Sequence, residues 1–149
     1  MTVKQYLRRI ERLDETVKSK LEQIDRFRDL LTKITSCPSI NGVKTNNNPD
    51  KIGATVAKIV DLENEIIKTV NELIDLKREV IRMIDSVETA DCRLLLTLRY
   101  INGKTWEEIA EEMNLSYQWV SGRLHNQALV ALDNVWRKEK AKKSVAKKF

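Results

Sequence analysis

An apolar residue recurs every seventh position twice along this chain, and that repeat restricts the fold more than any other feature. Val3, Ile10, Val17, Ile24 and Leu31 form the first series, with Leu7, Leu13, Leu21, Phe27 and Ile34 filling in three or four places along. Ile52, Ile59, Ile66, Leu73, Val80 and Val87 form the second, completed by Val56, Leu62, Val70, Leu76 and Ile84. Such a stripe covers one face of a helix and has no counterpart in a strand. Two long helices are predicted, over about 2–35 and 50–87, the first roughly 50 Å long at a rise of about 1.5 Å per residue. The opposite face of the second carries Lys58, Asp61, Glu65, Lys68, Glu72 and Glu79, as a solvated face should. Between the helices, SCPSINGVKTNNNPD has the Pro, Gly and Asn content of a loop, with Asn48–Pro49 as an N-cap followed by proline at the first helical position. Two matched helices joined this way fold back most simply as an antiparallel coiled-coil hairpin. Its stripe serves as a spacer or oligomerisation arm, or as a scaffold that covers the rest of the chain.

From Thr89 the pattern shortens. ADCRLLLTLRYI is apolar at Leu94, Leu95, Leu98 and Ile101 and stops at Asn102–Gly103. Thr105 with Glu108 three residues on is a capping box, and Glu107 and Glu108 suit the positive end of a helix dipole. The helix from about 105 to 113 turns Ile109 and Met113 inward. Asn114 can close it in the left-handed conformation, Leu115 tucks in, and Ser116 caps a third helix over about 117–136. Ala110 allows close helix approach, Asn114 makes the turn, and Val120 is the inward branched residue of the next helix. Those offsets are what a helix-turn-helix needs. The expected fold is therefore all-α. A hairpin (1–88, loop about 36–49) is followed by a tri-helical helix-turn-helix domain (89–136) and a basic flexible tail (137–149).

Here the residues reach a known family. LLLTLRYINGKTWEEIAEEMNLSYQWVSGRLHNQAL resembles region 4 of bacterial sigma factors, the part that reads the −35 promoter element. The Leu-Arg-Tyr run, the Thr-x-x-Glu-Ile-Ala capped helix and Ser-x-x-x-Val carry the likeness, and Val120-x-x-Arg123-Leu124 is nearest the extracytoplasmic-function type. This likeness covers about residues 90–133. The whole chain resembles the small phage and prophage regulators of the ArpU/RinA type. Tyr6-Leu7-Arg8 matches their YLR-like start, and Leu73-Ile-Asp-Leu76-Lys77-Arg78-Glu79 matches their LxDLKRE-like repeat. The resemblance implies a phage late-gene activator acting on double-stranded DNA with RNA polymerase, and not a sigma factor in its own right.

On a helical wheel with Val120 at zero, Leu124, Gln127, Ala131 and Val135 face inward, while Gln118, Gly122 and His125 lie opposite, flanked by Trp119, Ser121 and Asn126. Gln118 and Asn126 can pair bidentately with adenine, and Arg123 can pair with guanine or reach a phosphate. His125 can donate to a base or a phosphate. Tyr117 and Trp119 either touch thymine methyl groups or lie down on the first helix as core. Gly122 costs about 1 kcal/mol of helix stability relative to alanine. It is explained by close approach to the groove floor, or is a tolerated weak spot. Phosphate contacts are expected from the capped termini at Thr105 and Ser116, from Arg99 and Lys104, and from Lys138, Lys140, Lys142 and Lys143 of the tail, an electrostatic arm or simply a solvated end.

Charge complicates this reading. The net charge is +5, of which +1 falls in residues 1–88 and +4 in the remainder. Residues 105–135 hold one cation, Arg123, against Glu107, Glu108, Glu111, Glu112 and Asp133, so the motif itself is net −4. A lone domain should bind duplex weakly, and a polymerase scaffold or a homodimer would compensate. Leu129, Leu132 and Trp136 form a second apolar stripe, which must pack on the hairpin, a second copy or polymerase. Two other readings stand beside gene control. One is a small-terminase-like subunit for phage DNA packaging, although those usually place the DNA-binding motif first. The other is a protein-interaction module without DNA binding, favoured by the acidic first helix of the motif.

An enzyme is not expected. The acids sit at helix-surface spacing among Lys and Arg, and no phosphate loop, nucleophile elbow or metal cluster is present. His125 is the only histidine, and Cys37 and Cys92 lack partners at metal-ligand spacing, so neither cofactor nor metal is expected. Two lone thiols, a charged start and the lack of any apolar run near 20 residues point to a cytoplasmic chain with no membrane association.

Overall fold

The computed structural model describes residues 2–36 and 49–147. Among them every regular element is helical. Helix α1 is Val3–Ser36 and α2 is Pro49–Asp85. Helix α3, Ala90–Leu96, is prolonged by a π-wound segment, Thr97–Ile101, and α4 is Trp106–Met113. A second π-wound segment, Trp119–Leu124, runs directly into α5, His125–Ala146. The fold is all-α, as the two periodicities require. The expected loop about 36–49 lies almost wholly outside the described residues, as do Cys37 and the Asn48 cap.

Two compact units share the chain. Leu13–Glu72 make one and Met1–Arg12 with Leu73–Phe149 the other. In the Leu13–Glu72 unit, α1 and α2 run antiparallel. Lys20 pairs with Glu65 at 3.1 Å, and further along α1 Arg28 pairs with Glu63 at 3.0 Å while Lys58 sits 5.9 Å above the Phe27 ring. Among the described residues of this unit, only Ile24 and Ile59 are buried. The unit is a thin helix pair held by one seam.

The other unit holds nearly all of the core. Its first contributor is the start of α1, which opens with a capping box that the sequence reading passed over. The Thr2 amide donates to Gln5 Oε1 at 2.9 Å, and the Gln5 amide to Thr2 Oγ1 at 3.3 Å. Val3, Tyr6, Leu7 and Ile10 are then buried. From α2 come Leu73, Val80, Met83 and Ile84, and from the motif Leu95, Leu96, Ile109, Val120, Leu124, Ala128, Leu129 and Leu132. Helix α3 packs against α5 and the second π-wound segment, and α4 against both π-wound segments.

Residue 88 is therefore not where the compact units divide. The ends of the hairpin are built into the helix-turn-helix unit, because the stripe of Leu129, Leu132 and Trp136 needs cover and the start of α1 supplies it. The Tyr6 ring lies 5.2 Å from that of Trp136, and its hydroxyl donates to Glu79 Oε2 at 2.7 Å. That stripe is thus covered, at least at Leu129 and Leu132, by the chain itself. The basic tail is corrected as well. Residues 137–146, expected to be a flexible arm, continue α5, since they are mostly Lys, Ala, Arg and Glu, without Gly or Pro. Glu139 meets Arg82 at 3.4 Å, Lys143 meets Glu79 at 3.6 Å, and Lys140 stands 4.8 Å over the Trp136 ring.

If the first turns of α1 are core for the motif, Ile10→Ala should lower unfolding stability by roughly 2–5 kcal/mol, read by urea denaturation. Leu21→Ala, at a position 48% exposed, should stay within about 0.5 kcal/mol. Equal, small losses for both would mean that the motif stands without α1.

Candidate nucleic-acid interface

Local rules build the turn. Thr105 caps α4, its side chain accepting from the Glu108 amide at 3.3 Å. Helix α4 ends at Asn114 in the left-handed conformation, φ 54 and ψ 41, which asparagine tolerates better than most residues. The Leu115 amide bonds back to the Ala110 carbonyl at 3.1 Å and the Asn114 amide to the Glu111 carbonyl at 3.3 Å, which together close the turn. Leu115 remains 37% exposed and covers the turn only in part. Ser116 then accepts from the Trp119 amide at 3.2 Å, opening the third helix. Gly103, at φ +67, closes the preceding π-wound segment where Asn102–Gly103 was expected to stop it.

The third helix exposes Tyr117, Gln118, Trp119, Arg123 and Asn126. Tyr117 and Trp119 are therefore surface residues rather than core, at 48% and 38% exposure. The Arg123 guanidinium sits 6.0 Å above the Trp119 ring, which makes a flat cation–aromatic pair on this face. A Cβ placed on Gly122 would meet nothing within 4 Å. No neighbour in the chain demands glycine there, and it leaves a notch between Gln118 and Arg123. Ser121 is half-buried, and its hydroxyl donates to the Tyr117 carbonyl at 2.7 Å, which occupies its proton within the helix.

His125 departs from the wheel. Its Nε2 is 2.8 Å from the Tyr100 hydroxyl, and its ring stands edge-on to Trp106 at 4.7 Å. The π winding of Trp119–Leu124 explains this. Each residue of an i→i+5 turn advances through fewer degrees than in an α-helix, so a wheel stepped at 100° runs ahead of the chain. His125 consequently swings towards the interior while Gly122 and Arg123 stay outside. Burial lowers its pKa first, and the positive charges of Arg99 and Lys4 add to the effect. Tyr100 is pushed up to about 12, mainly by burial and then by the charge of Glu11.

The expected phosphate contacts sort differently from the residues expected to read bases. Arg99 is committed. It donates to the Lys104 carbonyl at 3.1 Å, pairs with Glu11 at 3.5 Å and stacks 4.6 Å over Trp106. Lys104 is paired with Glu112, and Thr105 and Ser116 serve their own helix caps. Lys138, Lys140, Lys142 and Lys143 lie about 18–26 Å along the helix from Asn126, at a rise of about 1.5 Å per residue. They sit at the far end from the exposed first turns of the third helix.

What the sequence reading missed is α1. Lys4 and Arg8, one helical turn apart, line the same cavity as Ser121, His125 and Asn126. Counted by compact unit, the charge is +6 for residues 1–12 with 73–149 and −1 for residues 13–72. Folding therefore gathers the cations that the motif lacks. The cluster at Tyr6-Leu7-Arg8 was visible in the sequence, but nothing in its spacing says which surface it joins.

Among the described residues, no group of three or more His, Cys, Asp or Glu side chains could hold a metal ion, and no helix is long and apolar enough to cross a membrane. Cys92 is a buried free thiol whose pKa burial raises, with a smaller push from Asp91.

Compared with known proteins, residues 33–133 match the model of a family described as protein of unknown function, DUF1492, and the chain belongs to that family. No curated protein and no solved structure matches it.

The lowered pKa of His125 sets a pH dependence. The folded ring holds a proton less tightly than the unfolded chain, so unfolding takes one up. Stability should be full above about pH 6.5, the ordinary histidine value, and should fall as pH drops towards the lower folded value. Thermal midpoints between pH 7.5 and 5.5 should decline for the natural chain and flatten for His125→Gln. An equal decline in both would place the titration elsewhere.

Proposed function

We propose that this DUF1492 family member is a sequence-specific DNA-binding transcription regulator, reading a promoter-proximal duplex with the first turns of the third helix and working beside RNA polymerase. The observation that carries the reading is the exposed row of Gln118, Trp119, Arg123 and Asn126 around the notch at Gly122, presented by a turn with helix-turn-helix offsets. Gln118 and Asn126 offer bidentate amides suited to adenine, Arg123 a fork suited to guanine, and Trp119 an apolar edge suited to a thymine methyl group. The likeness of residues 90–133 to sigma region 4, and of the chain to phage regulators of the ArpU/RinA type, supports a late-gene activator. The net negative charge of the motif fits a protein that binds beside polymerase instead of alone.

A second reading has its own observation. Glu107, Glu108, Glu111 and Glu112 all lie exposed along α4. An acidic helix face suits a basic protein partner, and a module of that kind would show no salt-dependent retention on DNA.

Selection of bound sequences from a random duplex pool, with and without polymerase, separates the two. Enrichment of a defined site is expected. Gln118→Ala with Arg123→Ala should abolish the preference while leaving the thermal midpoint nearly unchanged, and an unaltered enriched site would reject this reading helix. Gly122→Ala should stabilise the fold by up to about 1 kcal/mol and yet weaken duplex binding tenfold or more. A variant that gains stability and binds as before would make the notch a mere weak spot.

A further inference from the structure

The cavity beside the third helix has a volume of about 370 Å³, within the small-ligand range, and a mainly polar lining. Lys4 and Arg8 of α1 and Arg99 of the first π-wound segment bring three cations to it, against one acid, Glu11. Glu11 is spent on Arg99, 3.5 Å away, and it holds that guanidinium in place. Lys4 and Arg8 are exposed, and their spacing of four residues puts both on one face of α1. Opposite them Asn126 adds an exposed amide. Ammonium, guanidinium and amide donors converging from two helices are the chemistry of an oxyanion with several acceptor oxygens.

We infer that this cavity is a phosphate-binding site, with Lys4 and Arg8 as its mobile cations, Asn126 as a neutral donor and Arg99 as a fixed positive wall. The inference deepens the proposed function only in the source of the phosphate. In a duplex-bound complex the site takes one or two backbone phosphates next to the bases read by Gln118 and Arg123, and so supplies the contacts that the motif's own cations do not. The same donors would equally hold a free phosphorylated small molecule, and the test tells the two apart. The position of His125 is consistent with the site. The sole histidine of the chain lines the cavity, and its pKa is lowered first by burial and then by the charges of Arg99 and Lys4, which therefore reach into the cavity.

That histidine is also the reporter. The pKa of His125 is measured from its ring proton resonances in sulfate, a phosphate-shaped dianion across this range, and in chloride at matched ionic strength. Sulfate should raise it, and Lys4→Gln with Arg8→Gln should remove the rise while the thermal midpoint is kept. No sulfate-specific rise in the natural chain, or a rise that survives in the double variant, overturns the site. Retention on duplex DNA against salt then identifies the source. A slope smaller by about one to two in the double variant assigns the phosphate to the DNA backbone. An unchanged slope beside an intact sulfate response assigns it to a free ligand. A sulfate response in a chain that retains no duplex keeps the site and removes the proposed function alone.

Discussion

Burial of the first turns of α1 against the late third helix is the contact on which this unit depends. Val3, Tyr6, Leu7 and Ile10 come from α1, and Leu129, Leu132 and Trp136 are the stripe that needs cover. Remove the α1 residues and that stripe faces water, losing about 25 cal/mol for each Å² exposed. Tyr6 adds direction to the contact. Its ring meets Trp136 while its hydroxyl reaches Glu79 on α2, so one side chain fixes three helices together. Burial and that hydrogen bond push its pKa well above the usual tyrosine value, so no charge arises there at ordinary pH.

The same contact changes the electrostatics. Considered alone, the motif is a poor candidate for a polyanion, since Lys104 is neutralised by Glu112 and α4 displays four glutamates. Packing α1 alongside brings Lys4 and Arg8 to the flank of the third helix and confines the acidic face to α4. One surface becomes positive and another stays negative, an arrangement better suited to a partner on each side than to a uniformly attractive domain.

Much of this was legible in the residues. The heptads gave the two long helices, and Thr105, Asn114 and Ser116 each play the local part their chemistry dictates. These are short-range rules, decided within one turn of chain. The misreadings have different causes, the first of them longer-range packing. An apolar stripe at Leu129, Leu132 and Trp136 declares that it will be buried but not by what, and the answer lay more than a hundred residues upstream. The phase of His125 depended on π winding, which no periodicity in Trp119–Leu124 announces. The helical continuation to Ala146 follows from residues that are mostly Lys, Ala, Arg and Glu, whose helix propensity outweighs the repulsion of their positive charges.

The exposed turns differ in kind from the rest of the third helix. Val120, Leu124, Ala128 and Leu132 are buried, so volume and shape constrain them. Gln118, Trp119, Gly122, Arg123 and Asn126 satisfy no comparable internal need. Gly122 has open space where a Cβ would stand, and Trp119 leaves over a third of its surface to solvent with Arg123 above it. An exposed tryptophan and a helix-interior glycine both work against solubility or stability, the first through apolar exposure and the second through backbone entropy. Two such concessions, side by side on a face with convergent amides and a guanidinium, are most simply offset by contact with another molecule. If the protein reads duplex DNA as proposed, the notch and the flat ring would face a ridged, partly apolar surface, the form of stacked bases bordered by phosphates.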